Sequence, residues 1–110
     1  MLLCCNEEEV DLEAKLDTGA EYCVFERSYA EALGLQVEAG ELVMFSTATG
    51  RFVAFGHWVV IHACGFDVET FAYFAESREF RRNVLGMCGW IDRFQVAIDH
   101  HSSRLFLNKL

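Results

Sequence analysis

An alternating strand pattern runs directly into a turn that carries a carboxylate. Apolar residues occupy every second position from Val10 to Leu16, which is the period of a strand with one buried face. The residues that follow are Asp17, Thr18, Gly19 and Ala20. A glycine at such a place permits a tight turn and a close approach of the backbone to another molecule. We therefore predict that Asp17 ends a strand and opens a loop that carries function.

Short segments rich in β-branched and aromatic residues fill most of the remaining chain, which contains no proline. Such segments between turn signals predict strands. The expected strands cover residues 2–5, 9–16, 22–25, 41–46, 51–63, 66–74, 94–99 and 104–108. Helix formers from Glu26 to Leu33, stopped by Gly34, predict one helix, and a short helical turn is expected over Gly89–Phe94. The fold is predicted to be mainly β, a small closed barrel of about eight strands with one or two short helices.

The size and the charge of the chain limit the classes of partner. Its 110 residues fit one domain, spanning residues 1–110. The net charge of -8 argues against nucleic acid and against an anionic membrane surface as partners. No apolar run reaches the length of about 18 residues that a transmembrane helix needs, and the start of the chain lacks the basic region of a secretory signal.

Neither the cysteines nor the histidines have the spacing of a metal site. The five cysteines contain no Cys-x-x-Cys pair, and the four histidines contain no His-Glu-x-x-His pattern. We expect free thiols in a reducing cytoplasm, with no metal and no cofactor. A buried structural role is favoured for these cysteines over a role as nucleophile. The arginines at positions 78, 81 and 82, beside Glu76 and Glu79, indicate a solvated loop of mixed charge.

Four motifs, in this order along the chain, resemble those of the retroviral-type (retropepsin-like) aspartic peptidases. Asp17-Thr18-Gly19-Ala20 is similar to the catalytic motif, and Thr47-Ala48-Thr49-Gly50-Arg51 is similar to the flap. Asn83-Val84-Leu85-Gly86 is similar to the apolar-apolar-Gly motif that packs beneath the catalytic loop. The run Gly86–Asp99 is similar to a pattern of bacterial members. The resemblance extends from Val10 to Leu107 and implies an acid-protease-like fold with one lobe per chain.

The resemblance also implies roles for individual residues. Asp17 would be the catalytic carboxylate, Thr18 would reach across to the loop of a partner chain, and Gly19 would let the substrate backbone approach. The residues implied for substrate binding are Ala20, Thr47, Ala48, Thr49 and Gly50. The expected substrate is a peptide or protein.

A single Asp-Thr-Gly motif predicts a homodimer. Hydrolysis by this route uses two carboxylates that share one proton, so a second copy of the chain must supply the second aspartate across a two-fold axis. The function implied is that of an aspartic endopeptidase.

One departure from the viral pattern leaves an alternative open. Many viral members place an arginine after the apolar-apolar-Gly motif, where it pairs with an acid just beyond the catalytic tetrad. Here Glu21 is the acid, but Met87 occupies the arginine position. The ion pair is absent unless the arginine at position 81, 82 or 93 replaces it. The alternative function is a catalytically inactive domain of the same fold that serves dimerisation or peptide binding.

Overall fold

The structure, a computed structural model, describes all residues from Met1 to Leu110. The strands are Leu2–Cys5 (β1), Glu8–Asp11 (β2), Lys15–Leu16 (β3), Val24–Phe25 (β4), Glu41–Thr47 (β5), Gly50–Ala63 (β6), Phe66–Ala75 (β7), Val84–Leu85 (β8), Phe94–Asp99 (β9) and Arg104–Lys109 (β10). One α-helix, α1, spans Arg27–Ala32, and single 3₁₀ turns span Val37–Ala39 and Ile91–Arg93. The mainly β prediction is confirmed.

Eight strands form one sheet, in the order β2-β1-β6-β7-β4-β8-β3, with β5 paired to β6. The long antiparallel pair β6–β7 forms its centre, with Trp58 opposite Phe71. The end strands β2 and β3 do not pair with each other, so the sheet is open. The closed barrel expected from the sequence is therefore not confirmed.

The strand predicted over residues 9–16 is two strands with different partners. β2 pairs with β1 in a hairpin, placing Asp11 opposite Leu2, whereas β3 pairs in parallel with β8. Between the two, Leu12 is buried and its amide donates to the carbonyl of Met1 at 3.0 Å. The alternation of apolar residues continues through both strands because both bury the same side of the chain, although β2 pairs with β1 and β3 pairs with β8.

The helix and the core follow the sequence pattern. α1 is followed by Gly34, whose φ of 75° is the left-handed value that favours glycine after a helix. The largest fully buried side chains are Trp90, Phe25 and Phe74, which belong to a single apolar core. No helix of the chain has both the length and the apolar character needed to span a membrane.

The last two strands form a separate hairpin. β9 and β10 pair only with each other, in the register expected around the turn at residues 100–103. At the base of this hairpin Phe94 is buried, and Val96 packs against the core. Towards its tip, Ile98 is 60 % exposed and Phe106 is 51 % exposed. The hairpin therefore presents apolar side chains that no part of this chain covers.

Candidate active site

Asp17 lies directly after β3, where two parallel strands position it. The amide of Lys15 donates to the carbonyl of Asn83 at 2.8 Å, and the amide of Asp17 donates to the carbonyl of Leu85 at 3.0 Å. These bonds tie the loop to β8, within the Asn83–Gly86 motif. The structure therefore joins two of the motifs that the sequence analysis singled out.

The turn after Asp17 closes on the carboxylate itself. The amide of Gly19 donates to Asp17 Oδ1 at 2.9 Å, and the amide of Ala20 donates to the carbonyl of Asp17 at 3.1 Å. A Cβ on residue 19 would lie only 3.2 Å from the same carboxylate oxygen. Asp17 Oδ2 lies 3.5 Å from a guanidinium nitrogen of Arg82, and the Asp17 side chain is 23 % exposed. The carboxylate is thus oriented by backbone and open to one side.

Main-chain bonds hold the rest of the catalytic loop. The amide of Met87 donates to the carbonyl of Ala20 at 2.8 Å, and the amide of Cys88 donates to the carbonyl of Glu21 at 2.7 Å. A Cβ on Gly86 would lie 2.3 Å from the carbonyl oxygen of Tyr22, so only glycine allows this contact.

No other arginine takes the place of the one that viral members have at position 87, so Glu21 has no arginine partner. Arg82 pairs with Asp17, Arg93 contacts Asp92 and the carbonyl of Glu69, and Arg81 forms no ion pair. The Glu21 carboxylate has no cationic partner within 4.0 Å. The loop is therefore held without the side-chain pair.

Cys23, beside the loop, is a buried structural thiol. Cys23 is fully buried, and its Sγ accepts a hydrogen bond from the amide of Gly86 at 3.4 Å. Burial raises the pKa of the Cys23 thiol from 9.0 to about 11, so the thiol stays protonated at neutral pH. No cysteine lines the cleft beside Asp17. A cysteine-based hydrolysis at this site is therefore disfavoured.

A cleft of about 340 Å³ opens beside Asp17. Its wall is formed by Asp17, Gly19, Ala20, Glu21, Tyr22, Val24, Phe45, Ser46, Thr47, Phe52, Phe80, Arg82 and Val84. Four aromatic residues contribute to this wall, and three of them form a stack: the centroids of Phe45 and Phe52 are 5.2 Å apart, and those of Phe52 and Phe80 are 4.8 Å apart. A wall of this composition fits an extended peptide with apolar side chains.

The hairpin β5–β6 covers one side of the cleft, as expected of a flap. Thr47 pairs with Gly50 across a two-residue turn, and Thr47 Oγ1 donates to the carbonyl of Gly50 at 3.0 Å. Thr47 lines the cleft, whereas Ala48, Thr49 and Gly50 form the exposed tip outside its wall.

The predicted residues of the loop after β3 also divide into those that line the cleft and those that lie outside it. Ala20 and Gly19 line the cleft together with Asp17, whereas Thr18 is exposed outside it. Phe80 and Arg82 belong to the site although their segment resembles a solvated loop in the sequence. The segment is a solvated loop of mixed charge, as predicted, and the Arg82 side chain is 62 % exposed. Because the loop leads from β7 into β8, it also brings Arg82 to 3.5 Å from Asp17 Oδ2. A usable signal was present, since residue 82 immediately precedes the Asn83–Gly86 motif.

The comparison with protein families agrees with this geometry. Residues 4–87 match the aspartyl protease family. The chain belongs to the aspartyl protease family. The matched segment contains the catalytic loop, the flap and the Asn83–Gly86 motif, so every wall of the cleft lies within it.

A solved structure shows the same fold. The chain is similar to EIAV protease, determined in complex with the inhibitor HBY-793, with 20 % sequence identity and a TM-score of 0.56 over 79 % of each chain. No curated protein sequence matches the chain. This member of the aspartyl protease family thus has a retroviral protease fold, as the resemblance of its motifs predicted.

Proposed function

We propose that this chain is an aspartic endopeptidase that acts as a homodimer. The observation that carries the proposal is the single carboxylate of Asp17, held by backbone amides at the edge of an aromatic cleft. Membership of the aspartyl protease family supports peptide hydrolysis as the reaction. The chain has one Asp-Thr-Gly motif and one cleft beside it, which is half of a two-carboxylate site.

The proposed chemistry uses Asp17 twice, once from each protomer. Two carboxylates about 3 Å apart cannot both ionise, so they share one proton. The ionised one accepts a proton from a bound water, which attacks the carbonyl carbon of the scissile peptide. The other donates its proton to the carbonyl oxygen. Collapse of the tetrahedral intermediate then breaks the C–N bond as the amine takes up the proton that the first carboxylate accepted from water. The second carboxylate recovers its proton from a hydroxyl of the intermediate, which leaves the product acid and restores the shared proton. No metal takes part in this route.

The hairpin β9–β10 is proposed as the main dimer contact. The N-terminal strand β1 has β2 on one side and β6 on the other, so it has no free edge for a partner. β9 and β10 each have one unpaired edge, and such edges pair readily with another chain. The hairpin starts one residue after the 3₁₀ turn Ile91–Arg93, which follows the segment that holds the catalytic loop. A partner bound there lies close to that loop.

The argument for the alternative, a non-catalytic domain for dimerisation or peptide binding, is that Glu21 has no arginine partner. Met87 is 42 % exposed at the position where viral members place the arginine. The main-chain bonds from Met87 and Cys88 nevertheless hold the loop at 2.8 and 2.7 Å. Loop geometry is therefore preserved without the arginine, which favours the catalytic proposal over the alternative.

Cleavage of a mixed peptide library from about pH 3 to pH 8 tests the function, since dyads of this kind titrate in that range. Wild type is compared with Asp17→Asn at concentrations where sedimentation shows dimer. We expect cleavage by wild type alone, with the activity of Asp17→Asn reduced at least about a thousandfold, because an amide cannot take the proton from water. Its fold and its dimer should be unchanged.

The same experiment separates the two functions. Cleavage that survives in Asp17→Asn rules out the dyad mechanism. If neither protein cleaves and both are dimeric, the non-catalytic alternative stands. If the chain remains monomeric at every concentration, the two-carboxylate site cannot form.

A further inference from the structure

Arg82 is the one cationic side chain in the wall of the cleft. It lies on the segment between β7 and β8, one residue before the Asn83–Gly86 motif, and its guanidinium reaches to 3.5 Å from Asp17 Oδ2. The positive charge therefore lies beside the reacting carboxylate. Neither its neighbour Arg81 nor Arg78 lines the cleft.

The guanidinium of Arg82 is free to bind a ligand. Arg82 donates no hydrogen bond to any protein group, and its contact with Asp17 is an ion pair without a hydrogen bond. The Arg82 side chain is 62 % exposed at the wall of the cleft, so its donors are accessible to a ligand. By contrast, Arg27 donates to Glu38 and Arg78 donates to Glu31, which leaves both of them engaged on the surface.

The second acidic group of the cleft lies away from Arg82. The charge of the Glu21 carboxylate raises the pKa of the neighbouring Tyr22 phenol. Both residues line the cleft, but no guanidinium nitrogen of Arg82 lies within 4.0 Å of the Glu21 carboxylate. Asp17 is therefore the only acidic side chain of the protein that pairs with Arg82, and in the proposed reaction Asp17 acts on the water.

We propose that Arg82 is a specificity residue that selects peptides with an Asp or Glu side chain close to the scissile bond. This inference rests on the proposed peptidase function and names the substrate class of that site. An extended peptide rises about 3.3 Å per residue, so a group beside Asp17 is within reach of roughly two residues on either side of the cleaved bond. In a two-fold dimer each protomer supplies one Arg82, so either side of the substrate can meet it.

The planar fork of arginine suits this task. It binds a carboxylate through two parallel N–H bonds, which gives both strength and direction. The existing contact with Asp17 is a 3.5 Å ion pair whose arginine is largely exposed, a weak kind of interaction that a substrate carboxylate replaces. A bound acidic side chain of the substrate then pairs with Arg82, and Asp17 is free to accept a proton from the bound water. The neighbouring Phe52 and Phe80 take apolar side chains of the same peptide.

Matched peptides test the proposal. One cleaved library sequence is made with Glu, Gln or Lys at each of the two positions on either side of the scissile bond, and kcat/KM is measured for each. We expect wild type to prefer Glu over Gln at one or more of these positions by roughly ten- to hundredfold, the range for a hydrogen bond to a charged group.

The variants identify the residue responsible. Arg82→Gln should bring the ratio of kcat/KM for the Glu and Gln peptides to about one, whatever its absolute rate, and Arg82→Glu should prefer Lys. Arg81→Gln is the matched control, an adjacent exposed arginine outside the cleft wall, and should retain the wild-type preference. A wild type indifferent to Glu and Gln, or a preference that persists in Arg82→Gln, overturns the proposal.

Binding distinguishes a failure of this inference from a failure of the peptidase function. The fluorescence anisotropy of labelled Glu and Gln peptides is measured with wild type and with Arg82→Gln. Tighter binding of the Glu peptide by wild type alone supports Arg82 even if no peptide is cleaved. Equal binding of both peptides overturns the proposal, whether or not cleavage is seen.

Discussion

At the scale of single residues, glycines determine where the backbone of the catalytic loop can lie. Gly86 has no Cβ at a point where one would meet the carbonyl of Tyr22 at 2.3 Å and its amide nitrogen at 2.9 Å. The φ of Gly86 is not in the left-handed region, so space alone requires a glycine there. Gly65 is the opposite case, with a φ of 81° and no atom near the place of a Cβ.

The variant Gly86→Ala should therefore lose both stability and activity. Its new methyl group meets backbone that cannot move without displacing the catalytic loop, at a cost of about 3 kcal/mol in the free energy of unfolding. Gly65→Ala, the control, should lose roughly 1–2 kcal/mol through its left-handed backbone alone and keep its activity. Urea unfolding and peptide cleavage measure both quantities. A Gly86→Ala protein as stable as Gly65→Ala contradicts the packing argument.

Prediction from the sequence succeeds at this scale where a residue has a local reason for its identity. Asp17 is recognisable from the alternating strand and the Thr-Gly turn around it, and Gly86 from its place in a motif that resembles one of the family. The structure adds the close contact that requires a glycine at position 86. Arg82 is not recognisable as part of the site, because its position depends on how the chain returns from β7 to β8. Phe45 and Phe52 likewise look like core residues in the sequence, although they line the cleft.

At the scale of elements, the C-terminal hairpin differs from every other pair of strands. Both of its faces carry exposed apolar groups towards the tip, including Leu105 at 39 % exposure. A two-stranded ribbon is marginally stable on its own, so its burial at a dimer contact would also stabilise the hairpin.

The variant Ile98→Glu should weaken the dimer and reduce cleavage in proportion. Burying a carboxylate in an apolar contact carries a large penalty, so the dissociation constant should rise at least about a hundredfold. The control is Leu42→Glu on β5, where an apolar side chain with 62 % exposure, against 60 % for Ile98, receives the same charge. Sedimentation across a dilution series measures both variants. If Ile98→Glu dimerises like wild type, the hairpin is not the contact.

The elements themselves were predicted from the sequence with mixed success, for physical reasons. The strands of the antiparallel hairpins β1–β2 and β9–β10 lie next to each other in the chain around local turns, and all four fall within predicted strands or overlap them. β8 has two residues, too few to show any period, and was not predicted. Its parallel pairing with β3 joins segments far apart in the chain, which the alternation of either segment does not reveal. Closure of the sheet depends on the same long-range pairing.

At the scale of the whole molecule, the charge opposes the homodimer proposed for this chain. Each chain carries a net charge of -8, so a homodimer brings two strongly acidic bodies together. Repulsion of this kind acts over the Debye length, which falls from about 30 Å at 0.01 M salt to about 8 Å at 0.15 M. Association should therefore be controlled by ionic strength as well as by apolar contact.

Addition of sodium chloride should tighten the dimer. Between about 0.01 and 0.15 M salt we expect the dissociation constant to fall roughly three- to tenfold, because screening removes repulsion between the protomers while the apolar contact is retained. Specific activity at low protein concentration should rise in parallel. Sedimentation and cleavage assays across this range give the two readouts. A dissociation constant that rises with salt would show instead that ion pairs between protomers hold the interface.

The main-chain support of the catalytic loop has a consequence for how freely this sequence can diverge. The amides of Met87 and Cys88 hold the loop, and every residue type except proline carries such an amide. Evolution can therefore exchange the side chains at positions 21 and 87 without disturbing the alignment of Asp17. Homologues of this chain are accordingly expected to vary widely at both positions, and a search pattern that demands an acid and an arginine there will pass over them.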